Sequence, residues 1–196
     1  MRKIAAHYYL LPDGSLAKMP VISVDENSII REIVVFGDGF VEKQGVELFG
    51  GVLIPGFIED LRDIDFGNDV SSVSKGISRL YAKGSLKYLC NSDRNVFPAN
   101  FRGDVFYESP IKVMGNLKEF SNESTWEEIK RSSVEEGRGL FELIHNYFEN
   151  IRSVMPEGLK WGAIEQGANP GFVLLKGLDY NNMQIRETST VKIIIS

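Results

Sequence analysis

The spacing of hydrophobic and polar positions changes close to residue 70 and returns to its first pattern in the tail. Before that point short apolar runs alternate with turn chemistry. Residues 4–11 are apolar and aromatic and stop at Pro12-Asp13-Gly14-Ser15, where Pro presets φ and Gly accepts a positive one. Val21-Ile22-Ser23-Val24 is strand-like, with Asp25-Glu26-Asn27 as its turn. Residues 29–36 are mostly β-branched, broken by Arg31-Glu32, and close at Gly37-Asp38-Gly39, a hairpin-type signal. Glu47-Leu48-Phe49 then leads through Gly50-Gly51 into the apolar run Val52-Leu53-Ile54. Short strands at turn-punctuated spacing predict one half of a β-sandwich.

Beyond Gly67 the period becomes helical. Val73, Ile77 and Leu80 predict a helix over residues 71–83, with Gly84 as its C-terminal cap. Leu86-Lys87-Tyr88-Leu89-Cys90 reads as the next strand, so this region has the strand–helix–strand order of a βαβ unit. Between residues 95 and 121 the strand candidates are 104–107 and 111–114. Thr125-Trp126-Glu127-Glu128 has the form of a capping box, in which Thr and Glu satisfy each other's free N–H groups. Leu140, Ile144, Tyr147, Phe148 and Ile151 then fall on one helical stripe, stopped by Pro156-Glu157-Gly158. The tail returns to strand texture at 171–175, 183–185 and 191–195.

Composition narrows the classes. With 43% hydrophobic and 25% charged residues, the chain is of ordinary globular type. A net charge of −5 without a concentrated basic face argues against nucleic acid and against an anionic membrane surface. The sole cysteine, Cys90, forms no internal disulfide, which suits a reducing compartment. The apolar run after Met1-Arg2-Lys3 is broken at His7, and no stretch reaches the ~18–20 apolar residues of a membrane span. A cytoplasmic protein is expected.

The run Gly51-Val52-Leu53-Ile54-Pro55-Gly56-Phe57 resembles the start of the first barrel strand in the amidohydrolase superfamily of metal-dependent hydrolases and deaminases. The resemblance implies a chain that crosses from a β-sandwich into a (β/α)₈ barrel at Pro-Gly-Phe. It also implies a metal-binding His-x-His pair just beyond; those two positions hold Leu61 and Asp63. Residues 162–175, with Gly162, Ile164-Glu165, Gly167 and the apolar Phe172-Val173-Leu174-Leu175, are similar to the family's closing segment, which re-enters the sandwich. Residues 82–89 are similar to the end of a barrel helix and the second barrel strand. About a hundred residues separate Pro55 from the tail, whereas a barrel typically needs ~250. The fold expected from the resemblance is α+β or mixed α/β. Residues 1–58 and 160–196 form a composite β-sandwich, and residues 59–159 form a small α/β remnant of the barrel.

Candidate chemistry is sparse. The two histidines, His7 and His145, sit on the first strand and on the amphipathic helix. Zinc needs three or four converging N, O or S ligands, so neither a metal nor another cofactor is expected. Glu59, Asp60, Asp63 and Asp65 make an acidic cluster with Asp69 nearby. On one extended strand Glu59, Asp63 and Asp65 would share a face with Leu61 and could hold Mg²⁺ or Ca²⁺. The plainer reading is a solvated edge, where charge blocks strand association. The glycine pairs lack the Lys-Ser/Thr of a phosphate loop. Three roles follow: a catalytically silent amidohydrolase-like protein that binds a small molecule or protein, a hydrolase using the acidic cluster, or an assembly subunit pairing with a full-length relative. A homodimer is also expected, because an unclosed barrel leaves apolar surface to cover. The stripe Leu140, Ile144, Tyr147, Phe148 and Ile151 is the candidate interface, unless it covers that surface within one chain.

Overall fold

The computed structural model describes residues 1–41, 44–66, 69–92, 96–98, 100–108 and 118–195. Its architecture is mixed α/β. The turn-punctuated first third forms Arg2–Leu10 (β1), Leu16–Lys18 (β2), Pro20–Val24 (β3), Ile30–Val35 (β4) and Val46–Pro55 (β5), with a 3₁₀ turn at Gly37–Gly39. Gly56 then breaks the chain, and Phe57–Asp60 (β6) starts a different sheet. Ile64–Asp65 (β7), helix Val70–Ala82 (α1), Ser85–Asn91 (β8), Asp104–Glu108 (β9) and Lys118–Glu119 (β10) follow. Two helices, Thr125–Glu135 (α2) and Leu140–Ser153 (α3), precede the closing strands Phe172–Lys176 (β11) and Thr190–Ile195 (β12).

Both ends of the chain meet in one seven-stranded sheet of order β12-β11-β5-β1-β3-β4, with β2 beside β1. The join is antiparallel, Phe172 opposite Pro55 and Leu175 opposite Val52. Next to it β5 runs parallel to β1, from Lys3–Val46 to Tyr9–Leu53. The second sheet, β6-β8-β9, is wholly parallel, and β10 pairs with β7. Strand 104–107 is therefore present within β9, while candidate strand 111–114 lies outside the described residues. At 183–185 the expected strand is absent; only an isolated bridge joins Asp179 and Gln184.

Alternation along the strands explains the layers. Val52, Ile54, Val173 and Leu175 face one way and pack with Phe57, Ile58 and Leu89 against α2 and α3. Leu53, Leu174, Phe172, Ile4 and Ile22 face the other way into a second cluster. Helix α1 lays Val73, Ile77 and Leu80 against Tyr88 and Cys90 of β8. It is capped at its start by Asp69, whose carboxylate accepts from the Ser72 N–H, and is followed by Gly84 at φ +94°. The capping box of α2 sits one residue earlier than the sequence suggests. Ser124 accepts from the Glu127 N–H at 3.2 Å, and Glu127 accepts from the Ser124 N–H at 3.1 Å. Thr125 is engaged elsewhere, as a donor to Glu59. Among the described residues no helix is long and apolar enough to cross a membrane.

Of the two roles expected for the apolar stripe on α3, the structure shows it covering the sheet within one chain. Leu140, Ile144, Phe148 and Ile151 are buried within the chain, joined by Leu143. Phe148 stacks on Phe57 at 6.1 Å between ring centroids. Tyr147 is partly buried, and its hydroxyl lies on the backbone of β6, accepting from the Ile58 N–H at 2.9 Å and donating to the Ile58 carbonyl. One phenol thus meets both backbone groups that a neighbouring strand would otherwise satisfy. Leaving buried backbone groups unpaired costs about 1–3 kcal/mol. Tyr147→Phe should therefore lower unfolding free energy by about 1–3 kcal/mol in urea titrations, with little change in far-ultraviolet circular dichroism.

Candidate functional site

Because β6, β8 and β9 run in the same direction, their C-terminal ends share one edge, which carries Asp60, Asn91 and Glu108. In open α/β sheets this is the edge where ligands bind. Here it is occupied by a side chain of the protein itself. The Arg62 guanidinium donates to Asp60 at 2.9 and 2.7 Å, to Glu108 at 2.8 Å and to the Val154 carbonyl at 3.0 Å. These carboxylates push the Arg62 pKa further up, so the cation is permanent. Asn91 donates to the Arg62 carbonyl at 2.7 Å. Its side-chain oxygen is buried without a hydrogen-bond partner among the described residues.

The acidic cluster does not assemble as an extended strand would place it. β6 ends at Asp60, and the chain turns before β7. Leu61 is 5% exposed and packs with Phe66, Val73 and Leu80. Asp63 and Asp65 are left on the exposed side of the turn and β7, and Asp60 is held by Arg62. Glu59 points between the sheet and α2, accepting hydrogen bonds from Ser85 and from Thr125, the latter at 3.1 Å. Among the described residues no three His, Cys, Asp or Glu side chains are grouped to hold a metal ion. His7 is exposed, edge-on to Tyr180. His145 packs on Gly14, where a Cβ would come within 2.9 Å of the imidazole. Cys90 is buried beside α1.

Two buried ionisable groups stand out. Desolvation raises the Glu59 pKa, opposed by the hydrogen bonds from Ser85 and Thr125. Lys87 is 0% exposed in the middle of β8. Its ammonium pairs with Asp104, lies 3.4 Å from the Asn169 side-chain oxygen and sits over the Trp161 ring at 5.6 Å. Burial lowers its pKa, against the pull of Asp104. A lysine inside the apolar run Leu86-Lys87-Tyr88-Leu89 signals a buried charge; its partners come from distant segments that no spacing reveals. Arg62 is visible in sequence as the counter-charge of the acidic run, but Glu108 and Asn91 are not.

No family model and no curated protein matches the chain. Among solved structures it is similar to part of a prolidase-type protein of Bifidobacterium longum, with 13% identity and a TM-score of 0.39, covering 61% of this chain and 34% of that one. It is also similar to part of N-acetyl-D-glucosamine-6-phosphate deacetylase from Mycobacterium smegmatis, with 15% identity and a TM-score of 0.35, covering 46% and 26%. A. niger ochratoxinase shares 16% identity at a TM-score of 0.33, covering 46% and 25%. This chain spans between a quarter and about a third of the length of these proteins.

Two outcomes follow from the buried charges. A carboxyl whose pKa is raised on folding contributes most to stability below its unfolded pKa, about 4.3, and loses that contribution as pH rises through its folded value. Glu59→Gln keeps an acceptor for Ser85 and Thr125 and cannot ionise. Its stability relative to the parent should therefore grow from acid to neutral pH in parallel chemical denaturations. For the Lys87–Asp104 pair, removing one partner leaves the other charged and desolvated. Asp104→Asn should cost on the order of 2 kcal/mol, less than in a fully buried pair because solvent reaches half of Asp104, whereas Lys87→Met should be neutral or stabilising in the same assay.

Proposed function

We propose that this chain is an amidohydrolase-like protein that has lost the ancestral metal chemistry and acts by binding. In this reading residues 1–58 and 160–196 make a composite β-sandwich unit, and residues 59–159 are the reduced remnant of a barrel. The carrying observation is the Arg62 guanidinium, fixed between Asp60 and Glu108 at the C-terminal edge of the parallel sheet. A divalent cation there would meet a permanent positive charge, and both carboxylates able to ligate it are already neutralised. Leu61, at the position where the resemblance puts a ligand, is apolar and turned into the core. The same ion pairs argue against a hydrolase built on the acidic cluster, since Asp60 and Glu108 are tied and Glu59 faces α2. Binding is favoured over assembly because the α3 stripe, the surface suggested for pairing, is used inside the chain.

The purified chain, incubated with Zn²⁺ or Mn²⁺ and desalted, should retain far less than one metal per chain by elemental analysis. It should not hydrolyse a dipeptide or an N-acetylated amino sugar. One tightly held transition metal per chain, or metal-dependent hydrolysis of either compound, would overturn the reading. Arg62→Gln should raise the affinity for divalent cations, because it frees the two carboxylates.

A further inference from the structure

We infer that the groove at the N-terminal ends of β1 and β5 binds a small zwitterion with an apolar side chain, of the class of a free apolar α-amino acid. Strand register builds it. Lys3 of β1 stands opposite Ser23 of β3, and Ser23 stands opposite Glu32 of β4, so cation, hydroxyl and carboxylate form one row across three strands. On the other side of Lys3 the row continues to Val46 of β5. Two residues along, Val21 and Val34 form the next row on the same face. Phe36, Phe40 and Val41, around the 3₁₀ turn, wall the groove, with the two aromatic rings edge to face at 6.0 Å.

Three observations point to a ligand. The groove's volume is about 200 Å³, below the roughly 300 Å³ at which drug-sized pockets begin, and it suits a molecule of amino-acid size. Ser23 is only 2% exposed and lines the groove, a polar residue among the buried ones of the sheet. Lys3 and Glu32 both line the groove and have no ion-pair partner among the described residues. Their strands are two spacings apart, roughly 10 Å, too far for the backbone to hold them together but within reach of a shared ligand lying over the small Ser23. A ligand carboxylate would meet Lys3 and Ser23, its ammonium would meet Glu32, and its side chain would lie on Val21, Val34 and Phe40. The complementary charges select a molecule with both ends ionised, and the apolar row selects its side chain.

The groove deepens the binding reading above but stands at the other end of β5 from Arg62, roughly 30 Å of strand away. Metal content tests that reading, and ligand titration tests this one. L-Leucine and L-phenylalanine should be titrated into ¹⁵N-labelled full-length protein, alongside their N-acetyl and C-terminal amide derivatives. Saturable shifts confined to β1, β3, β4 and residues 36–41 are expected for the free amino acids. Each blocked form should bind about five- to tenfold more weakly, as expected for loss of one charge-assisted contact. Glu32→Gln should remove the advantage of the free form over the N-acetyl form, and Lys3→Gln that over the amide; both residues are exposed, so both variants should fold. Absence of shifts at millimolar ligand, equal binding of blocked and free forms, or shifts at these residues that track protein concentration alone would each overturn the proposal.

Discussion

The structure depends on the antiparallel pairing of β11 with β5. This ladder brings a segment near the C-terminus against the strand that leads out of the first third, and every layer is placed relative to it. Gly51 shows how close the approach is. A Cβ there would lie 2.4 Å from the Leu175 carbonyl and 2.9 Å from the Leu174 side chain, so the ladder closes only over a residue with no side chain. Five residues on, at Gly56, the same chain changes sheets. The Gly56 N–H turns to the Pro170 carbonyl at 3.2 Å, while the Phe57 N–H turns to the Gly84 carbonyl at 2.9 Å. A Cβ on Gly56 would come within 2.7 Å of Leu86. One glycine therefore lets β5, inside one sheet, lead directly into β6, at the edge of the next.

A parallel sheet of three strands has two edges, and an exposed edge is a template for unwanted pairing. At β6 the edge is met by a side chain rather than by a strand. Tyr147 reaches from α3 to satisfy both backbone groups of Ile58, and Phe148 on the next position stacks on Phe57. Desolvation and the nearby Glu59 keep the phenol protonated by raising its pKa, which preserves its ability to donate. The helix stripe and this hydroxyl act together: the stripe brings α3 to the sheet, and the hydroxyl fixes its register along β6.

The polar groups inside the molecule divide by what they hold. Glu59 ties the start of α2 to β6 and β8 through Thr125 and Ser85. Lys87 gathers Asp104 of the neighbouring strand and Asn169 of the segment before β11. Arg62 locks the ends of β6 and β9 to the loop after α3 through Asp60, Glu108 and Val154. Each sits where a bare polar group would be costly to bury, and each joins segments far apart in sequence.

By itself the sequence determined the local elements: the strand texture of both ends, the break at Pro55-Gly56-Phe57, helix α1 with Gly84 after it, and the apolar stripe from Leu140 to Ile151. These follow from periodicity and turn chemistry, which act over a few residues. It misplaced the first residue of α2, because Thr125 and Ser124 are both able to cap and only the nearby Glu59 decides between them. It also carried the strand through Leu61 to Asp65, since alternation along an acidic run contains no sign of the turn that separates Glu59 from Asp63. Only the tertiary structure decided what the α3 stripe covers, which groups hold Lys87, and that Arg62 fills the edge where a metal site would otherwise be sought. The physical reason is that periodicity reports which face of an element is apolar. The partner of that face, and the counter-charge of a buried ion, are supplied by strands and loops brought together only when β11 closes on β5.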